Sequence, residues 1–485
     1  MTHRRIPALA LLAAVCLISA CSRTREADPH MVSGWMHRLY GAIRAERLSP
    51  NVASRLSAYA TGALYSGIAA ATPGLPTLDG KLNGLATLPK GESGATYDPT
   101  IAAVSAERVI VDSLFRDGLP TTKASLTQFA DSLLTARIAE GLNEDVRARS
   151  ADLGRRTGLA IVAWAHGDGF DSTRGRKYVP PVGPGLWVND STTTTYTTQN
   201  ISGVSQLIVP GNPTNAAPSG SASDRGLILD RQKRPGPTTM PATNMAGVTE
   251  AYWGHNRPFV LTTWRECPLP PPPAFSLTPG AGLYGEAKAV HDISKALTPA
   301  QKATALYWAD NGGETGTPVG HWLSIASQMV SERKLNGAQA AWLMVLTSAS
   351  MADAFIATWG VKFEVNVIRP RTYIRMTMDS TWEPAIPTPP FPEYVSGHST
   401  VSAAAAATLA GILGDGPFAD STSVPLGHEV RNFASFSAAS DEAGRSRIYG
   451  GIHYPVSNVK GAEMGRCIAG KVLDKFGGGK LPAGR

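Results

Sequence analysis

Residues 391–413 read FPEYVSGHSTVSAAAAATLAGIL. From Gly397 onward the Ala-rich run has the composition of an α-helix, because alanine gives up almost no side-chain freedom there. Prolines at 387, 389, 390 and 392 fix an extended approach to it. The helix therefore opens on Ser396-Gly397-His398-Ser399. First-turn N–H groups have no partner inside a helix, and the helix dipole adds partial positive charge. Gly397 lets a bound group come close to the backbone. Ser396 or Ser399 can serve simply as a cap; capping does not explain the histidine. Together these features describe an oxyanion site, with His398 placed to pass protons to or from the anion.

Two further segments flank this one. In WGVKFEVNVIRPRTYIR (359–375), Lys362 and Arg369 stand seven positions apart. If the helix persists that is two turns, so both cations share a face, and Pro370 then ends or bends it. In GRSRIYGGIHYPVSN (444–458), Arg447 and His453 are six apart, with Gly450-Gly451 between them breaking any helix. The pair is expected to converge through a turn. Taken singly, a solvated basic edge and a Gly-rich loop with a surface histidine remain open for these two segments.

The chain has 485 residues, 43% hydrophobic and 17% charged. A large core is within reach and wholesale disorder is excluded. A net charge of +7 without a dense Lys/Arg run gives no ground for nucleic-acid binding. His3, Arg4 and Arg5 precede the apolar run ALALLAAVCLISAC, the layout of a secretory signal. Ile18-Ser19-Ala20-Cys21 resembles a bacterial lipobox, with Cys21 the lipidated first residue of the mature chain; a plain signal peptide cleaved nearby is the alternative. The expected organisation is a signal (1–20), a flexible tether (21–31), an N-terminal helical half (32–169), a Pro/Gly/Thr-rich loop section (170–278) and a C-terminal helical bundle (279–485). No stretch after the leader is expected to be long and apolar enough for a membrane helix. Cys267 and Cys467 can pair in an oxidising compartment, and the sequence leaves paired and free states open. No Cys/His cluster has finger-like metal spacing. His166, Asp168 and Asp171 fit no calcium pattern and read as a loop. His255, His291, His321 and His428 have no identifiable partner.

Lys-x6-Arg-Pro, then Ser-Gly-His, then Ser-Arg-x5-His resembles the signature of the vanadium-dependent haloperoxidases and the related type 2 phosphatidic acid phosphatase superfamily. The matches are Lys362/Arg369/Pro370, Ser396/Gly397/His398 and Ser446/Arg447/His453. LYWADNGGETGTPVGHW (306–322) looks, more weakly, like bacterial chloroperoxidase-type homologues. The resemblance implies a mainly α fold of helical bundles with a loop-rich central section. It implies vanadate as cofactor, with phosphate competing for the same site. Lys362, Arg369 and Arg447 would surround the oxygens, and Ser396 and the Gly397 N–H would bond others. His453 would be the axial metal ligand of a haloperoxidase or the nucleophile of a phosphatase. His398 would be the general acid/base, with Lys362 helping to polarise peroxide. Phe391 and Trp359 match the chloroperoxidase pattern, and Asp310 resembles an acid that pairs with the third-motif arginine. Two positions depart from the pattern. Val395 replaces the usual proline before Ser-Gly-His, and Ser457 replaces an aspartate four residues after the last histidine, where a carboxylate would orient the ring.

The function expected is oxidation of halide by hydrogen peroxide to hypohalous acid, acting on small molecules that include an organic acceptor. The alternatives are a periplasmic acid phosphatase working through a phosphohistidine and a non-catalytic lipoprotein that binds oxyanions or a partner. The location expected is the periplasm or cell envelope, with membrane contact only through lipid on Cys21.

Overall fold

The computed structural model describes residues 26–115, 118–174, 176–189, 197–201, 204–208 and 248–483. The expected leader and the Ile18–Cys21 stretch lie outside these residues. The N-terminal half holds α1 (Pro29–Ala45), α2 (Pro50–Ala71), α3 (Pro99–Leu114), α4 (Pro120–Ala139), α5 (Glu144–His166) and the short α6 (Phe170–Thr173). The first four each open on a proline. Proline suits that position because its φ is already helical and its missing N–H would have had no partner. Asp28, Ser49 and Asp98 cap α1, α2 and α3 by accepting first-turn N–H groups.

The second half holds α7 (Leu283–Lys295), α8 (Pro299–Tyr307), α9 (Thr317–Glu332), α10 (Gly337–Val365), α11 (Pro370–Thr377), α12 (Gly397–Leu413), α13 (Phe436–Tyr449) and α14 (Pro455–Lys475). Strands are few. β1 (Thr197–Ile201) pairs antiparallel with β2 (Val204–Ile208), and β3 (Phe418–Asp420) with β4 (Arg431–Phe433). The architecture is mainly α, as the pattern of the sequence implied.

One helix organises the core. Between Gly337 and Val361, α10 carries a single charged residue, Asp353. A helix apolar on every side must be surrounded. It is long and apolar enough to cross a membrane, contrary to the expectation that no such stretch exists, yet its apolar window is wholly buried by neighbouring helices. Asp353 compensates its burial by accepting backbone N–H groups of Phe259, Val260 and Leu261 at 2.6, 2.8 and 2.9 Å. These bonds tie the central loop section to the core. The apolar cluster is continuous between the halves, running from Trp35, Tyr59 and Trp164 through Trp322 and Met344 to Phe436.

Other boundaries shift. The tether expected over 21–31 ends early, because Ala27 is buried and Met31 already lies in the core on α1. The described parts of the central section pack against the second half. Trp187 donates to Asn366 O at 2.7 Å, and Ile368 donates to Gly185 O at 2.9 Å. Cys267 and Cys467 form a disulfide, which joins the loop section to α14.

Candidate oxyanion site

The site forms where α10, α12, α13 and α14 meet. On α14, a Cβ added at Gly461 would lie 2.8 Å from Ser396 O, and one at Gly465 2.2 Å from Thr400 O. Only glycine allows α14 to lie this close to the first turns of α12. That approach brings His453, just before α14, beside Ser-Gly-His.

Lys362 and Arg369 do not share a helix face. The helix ends at Asn366, which adopts the left-handed C-cap conformation at φ 50°. Arg369 then precedes a new helix, because Pro370 opens α11 and does not close α10. The two cations converge through this turn. Lys362 Nζ donates to Pro392 O at 3.0 Å and Glu393 O at 2.8 Å. Arg369 Nε donates to Phe391 O at 2.8 Å, and Nη1 to Ile452 O at 2.8 Å. The Pro-rich approach thus supplies the carbonyls that fix both cations. Phe391 lies 4.9 Å from Trp359, with Lys362 Nζ 5.2 Å and Arg369 Cζ 4.9 Å from its ring.

Arg447 and His453 converge through a turn as expected, since α13 ends at Tyr449 and Gly451 has φ 76°. Arg447 Nη1 donates to Trp308 O. Arg369 Nη1 lies 3.3 Å from His453 Nε2. Ser396 caps α12 through its hydroxyl oxygen, so the capping role open in the sequence is real. Gly397 is not a packing necessity: its missing Cβ would meet only Trp359 at 3.7 Å and Phe355 at 4.0 Å. The room beside it leaves the opening of α12 accessible to a bound group.

Lys362, Arg369, Arg447 and His453 are 0%, 0%, 1% and 2% exposed, so their mutual repulsion is barely screened by water. Burial, then Arg369, holds the Lys362 ammonium well below its usual range. Burial and then Arg369 push His453 down too. His398 is partly exposed; burial, then Arg447 and His321, depress its pKa. Its Nε2 and the Nε of Arg447 are buried without a hydrogen-bond partner. Cations clustered with unpartnered polar nitrogens suit a tetrahedral or bipyramidal oxyanion, and the donor set fits vanadate or phosphate.

A residue missed in the sequence completes the site. His453 Nδ1 faces Glu393 Oε1 at 2.7 Å, and the Tyr454 N–H donates to the same oxygen at 2.9 Å. Both side chains are buried. The absence of an aspartate at position 457 therefore does not leave the ring without a carboxylate. Glu393 supplies it from the approach to α12, and Ser457 lies against that carboxylate. With Nδ1 on an acceptor, a neutral ring carries its lone pair on Nε2, the atom that Arg369 Nη1 faces at 3.3 Å. Burial lifts Glu393 to about 7, with Lys362 and Arg369 pulling the other way. The available signal was the acid itself in FPEYVSGH, which sits in an otherwise uncharged stretch.

The remaining candidates separate. Asp310 salt-bridges His321 at 3.1 Å, and acts on Arg447 through its field. Asp168 is buried against Arg55, while His166 and Asp171 are exposed and 3.8 Å apart. Among the described residues no His/Cys/Asp/Glu group could hold a metal ion by itself. His291 lies among surface acids, 3.4 Å from Asp292, whereas His255 and His428 sit beside Tyr252 and Tyr307.

The VCPO second helical-bundle domain family matches residues 342–477, which hold all three motifs. A bacterial vanadium-dependent iodoperoxidase is similar over 93% of this chain and 97% of its own, at 31% identity and a TM-score of 0.75. The apo and holo forms of a bacterial vanadium-dependent chloroperoxidase share the fold, at 15% and 16% identity and TM-scores of 0.62 and 0.61. They cover 89% of this chain, and 94% and 93% of theirs. No functionally curated protein matches the sequence.

Proposed function

The chain belongs to the vanadium-dependent haloperoxidase family, and on that premise we propose that it oxidises halide with hydrogen peroxide at a vanadate site ligated by His453. The observation that carries the reading is the buried group of Lys362, Arg369 and Arg447 around a histidine whose Nδ1 faces Glu393 and whose Nε2 faces the Arg369 guanidinium. Vanadate bound there would supply a Lewis-acid centre that activates peroxide for two-electron oxidation of halide. The three cations would neutralise the anion and withdraw charge from its oxygens. The Gly397 N–H and the Ser396 hydroxyl would donate to further oxygens. Glu393 keeps His453 in one tautomer and orientation. His398 is held neutral by its surroundings, so its buried Nε2 is free to take the peroxide proton and return it. Phe391 and Trp359 form the apolar wall beside Lys362 and exclude water from it.

Iodide is the first halide to test, because the 31%-identical relative is an iodoperoxidase. The protein lacking its leader is loaded with orthovanadate and assayed for peroxide-dependent oxidation of iodide and bromide, with His453→Ala in parallel. Vanadate-dependent turnover lost in the variant supports the proposal. No turnover with any halide across acidic to neutral pH defeats it.

A phosphatase reading has one observation in its favour. The Glu393–His453 pair gives the ring the carboxylate that nucleophilic attack on a phosphate ester requires. Hydrolysis of p-nitrophenyl phosphate without vanadate, with label trapped on His453, would select it. We also infer export with a lipid tether on Cys21, supported by the Cys267–Cys467 disulfide, which suits an oxidising compartment. Acyl labelling lost in Cys21→Ser tests this.

A further inference from the structure

Behind the site lies a second buried charge cluster that none of the three motifs contains. His321, on the second turn of α9, is 1% exposed. Its Nδ1 lies 3.1 and 3.2 Å from the two oxygens of Asp310, and its Nε2 lies 2.8 Å from Asp420 Oδ2. Tyr307 donates to the same Asp420 oxygen at 2.6 Å. The Trp308 ring stacks on the imidazole at 4.5 Å and 17°. An imidazole with a carboxylate on each nitrogen donates through both, which only the cation can do.

The acid on one side of this ion triad belongs to the turn Trp308-Ala309-Asp310. Asp310 has φ 46°, a left-handed conformation that a non-glycine residue keeps only when its surroundings hold it there. The same turn presents two carbonyls to the oxyanion site. Trp308 O accepts from Arg447 Nη1, and Ala309 O faces the His398 ring, whose protonated form it favours. Asp310 also opposes the burial that lowers the Arg447 pKa.

We propose that His321 is a positioning residue for the oxyanion site: held between Asp310 and Asp420 and stacked on Trp308, it fixes the turn whose carbonyls set Arg447 and His398. The proposal rests on the reading that Arg447 and His398 face the bound anion. His321 touches neither anion nor substrate and acts through two backbone carbonyls and one carboxylate. Its charge also contributes to lowering the His398 pKa, after burial and Arg447.

The test measures orthovanadate and inorganic phosphate affinity by equilibrium dialysis on the protein lacking its leader. The variants are His321→Gln, Asp420→Asn and, as a control in the other half, Asp168→Asn. Tm is recorded for each. His321→Gln is expected to weaken vanadate about tenfold, at the lower end of the range for outer-shell partners. Asp420→Asn should weaken it less, and Asp168→Asn should lower Tm with affinity unchanged. In the vanadate-loaded enzyme, His321→Gln should also move the limb of the pH–rate profile governed by His398 to higher pH, a shift that a merely destabilised fold does not produce. Wild-type affinity and an unmoved profile in a folded His321→Gln protein overturn the inference alone. If His321→Gln does not fold, Asp420→Asn decides by the same criteria. A wild-type protein that binds neither anion overturns the reading of the site and this inference with it.

Discussion

Each half of the protein buries a charge cluster, and the two are matched differently. In the N-terminal half Asp168 accepts from Arg55, from Tyr59 at 2.9 Å and from the Phe170 N–H at 2.9 Å. Arg55 further donates to Ala165 O at 3.0 Å and lies 4.5 Å from the Phe170 ring. Anion and cation sit together there, and the carboxylate's bonds are made within the protein. In the C-terminal half Lys362, Arg369 and Arg447 face two histidines, with Glu393 the acid in contact with the group. Two nitrogens there, His398 Nε2 and Arg447 Nε, have no partner. A closed cluster holds a fold; a cluster with surplus positive charge, an open Arg447 donor and an unpartnered His398 nitrogen is arranged for an anion from outside.

The sharpest break in this comparison is Asp168→Ala. It strands a buried guanidinium and should cost about 3–5 kcal/mol of stability, while vanadate affinity of the folded protein stays at the wild-type value. Thermal unfolding and dialysis on one preparation check both halves of the statement. Glu393→Gln should do the reverse. It keeps the shape but removes the carboxylate that orients His453, so vanadate affinity should fall about 10–100-fold with little change in Tm. A large Tm drop with unaltered affinity would make Glu393 structural, like Asp168.

A third outcome concerns pH. Burial alone lowers the pKa of His321, but Asp310 and Asp420 together carry it to about 10. A histidine whose folded pKa lies above its ordinary 6.5 contributes stability that is complete below about pH 6.5 and lost as pH rises toward 10. Wild type should therefore lose unfolding free energy over that window relative to His321→Gln, as read from denaturant curves at stepped pH. Equal slopes would mean that the triad is not an ion cluster.

The smallest effect is the most selective. Gly397→Ala adds a Cβ with ordinary contacts to Trp359 and Phe355. Stability should hold or rise by up to about 1 kcal/mol, since alanine is the better helix former. Vanadate should bind more weakly because the methyl enters the room at the opening of α12. Undiminished affinity would show that no anion approaches that backbone.

Much of the fold and the site is legible in the amino-acid order. The helical character follows from alanine-rich and amphipathic runs, and proline marks several helix starts because one residue's φ and missing N–H decide that locally. Lys362, Arg369, Ser396, Gly397, His398, Arg447 and His453 stand out by type and spacing, and they do meet in space. The route by which Lys362 and Arg369 meet is not legible there. Their spacing points to a two-turn helical face, but Asn366 in the left-handed conformation ends the helix between them.

Amino-acid order governs what depends on short range: helix starts, the Ser-Gly-His opening and the residue types of an oxyanion pocket. The remaining features come from packing, through contacts far apart in the chain. Glu393 reaches His453 across 60 positions, and His321 reaches Asp420 across 99. Cys267 pairs with Cys467 across 200. Periodicity and capping carry no information at such separations. A buried carboxylate finds its partner only once apolar burial has packed the helices and removed the water that would otherwise have solvated it.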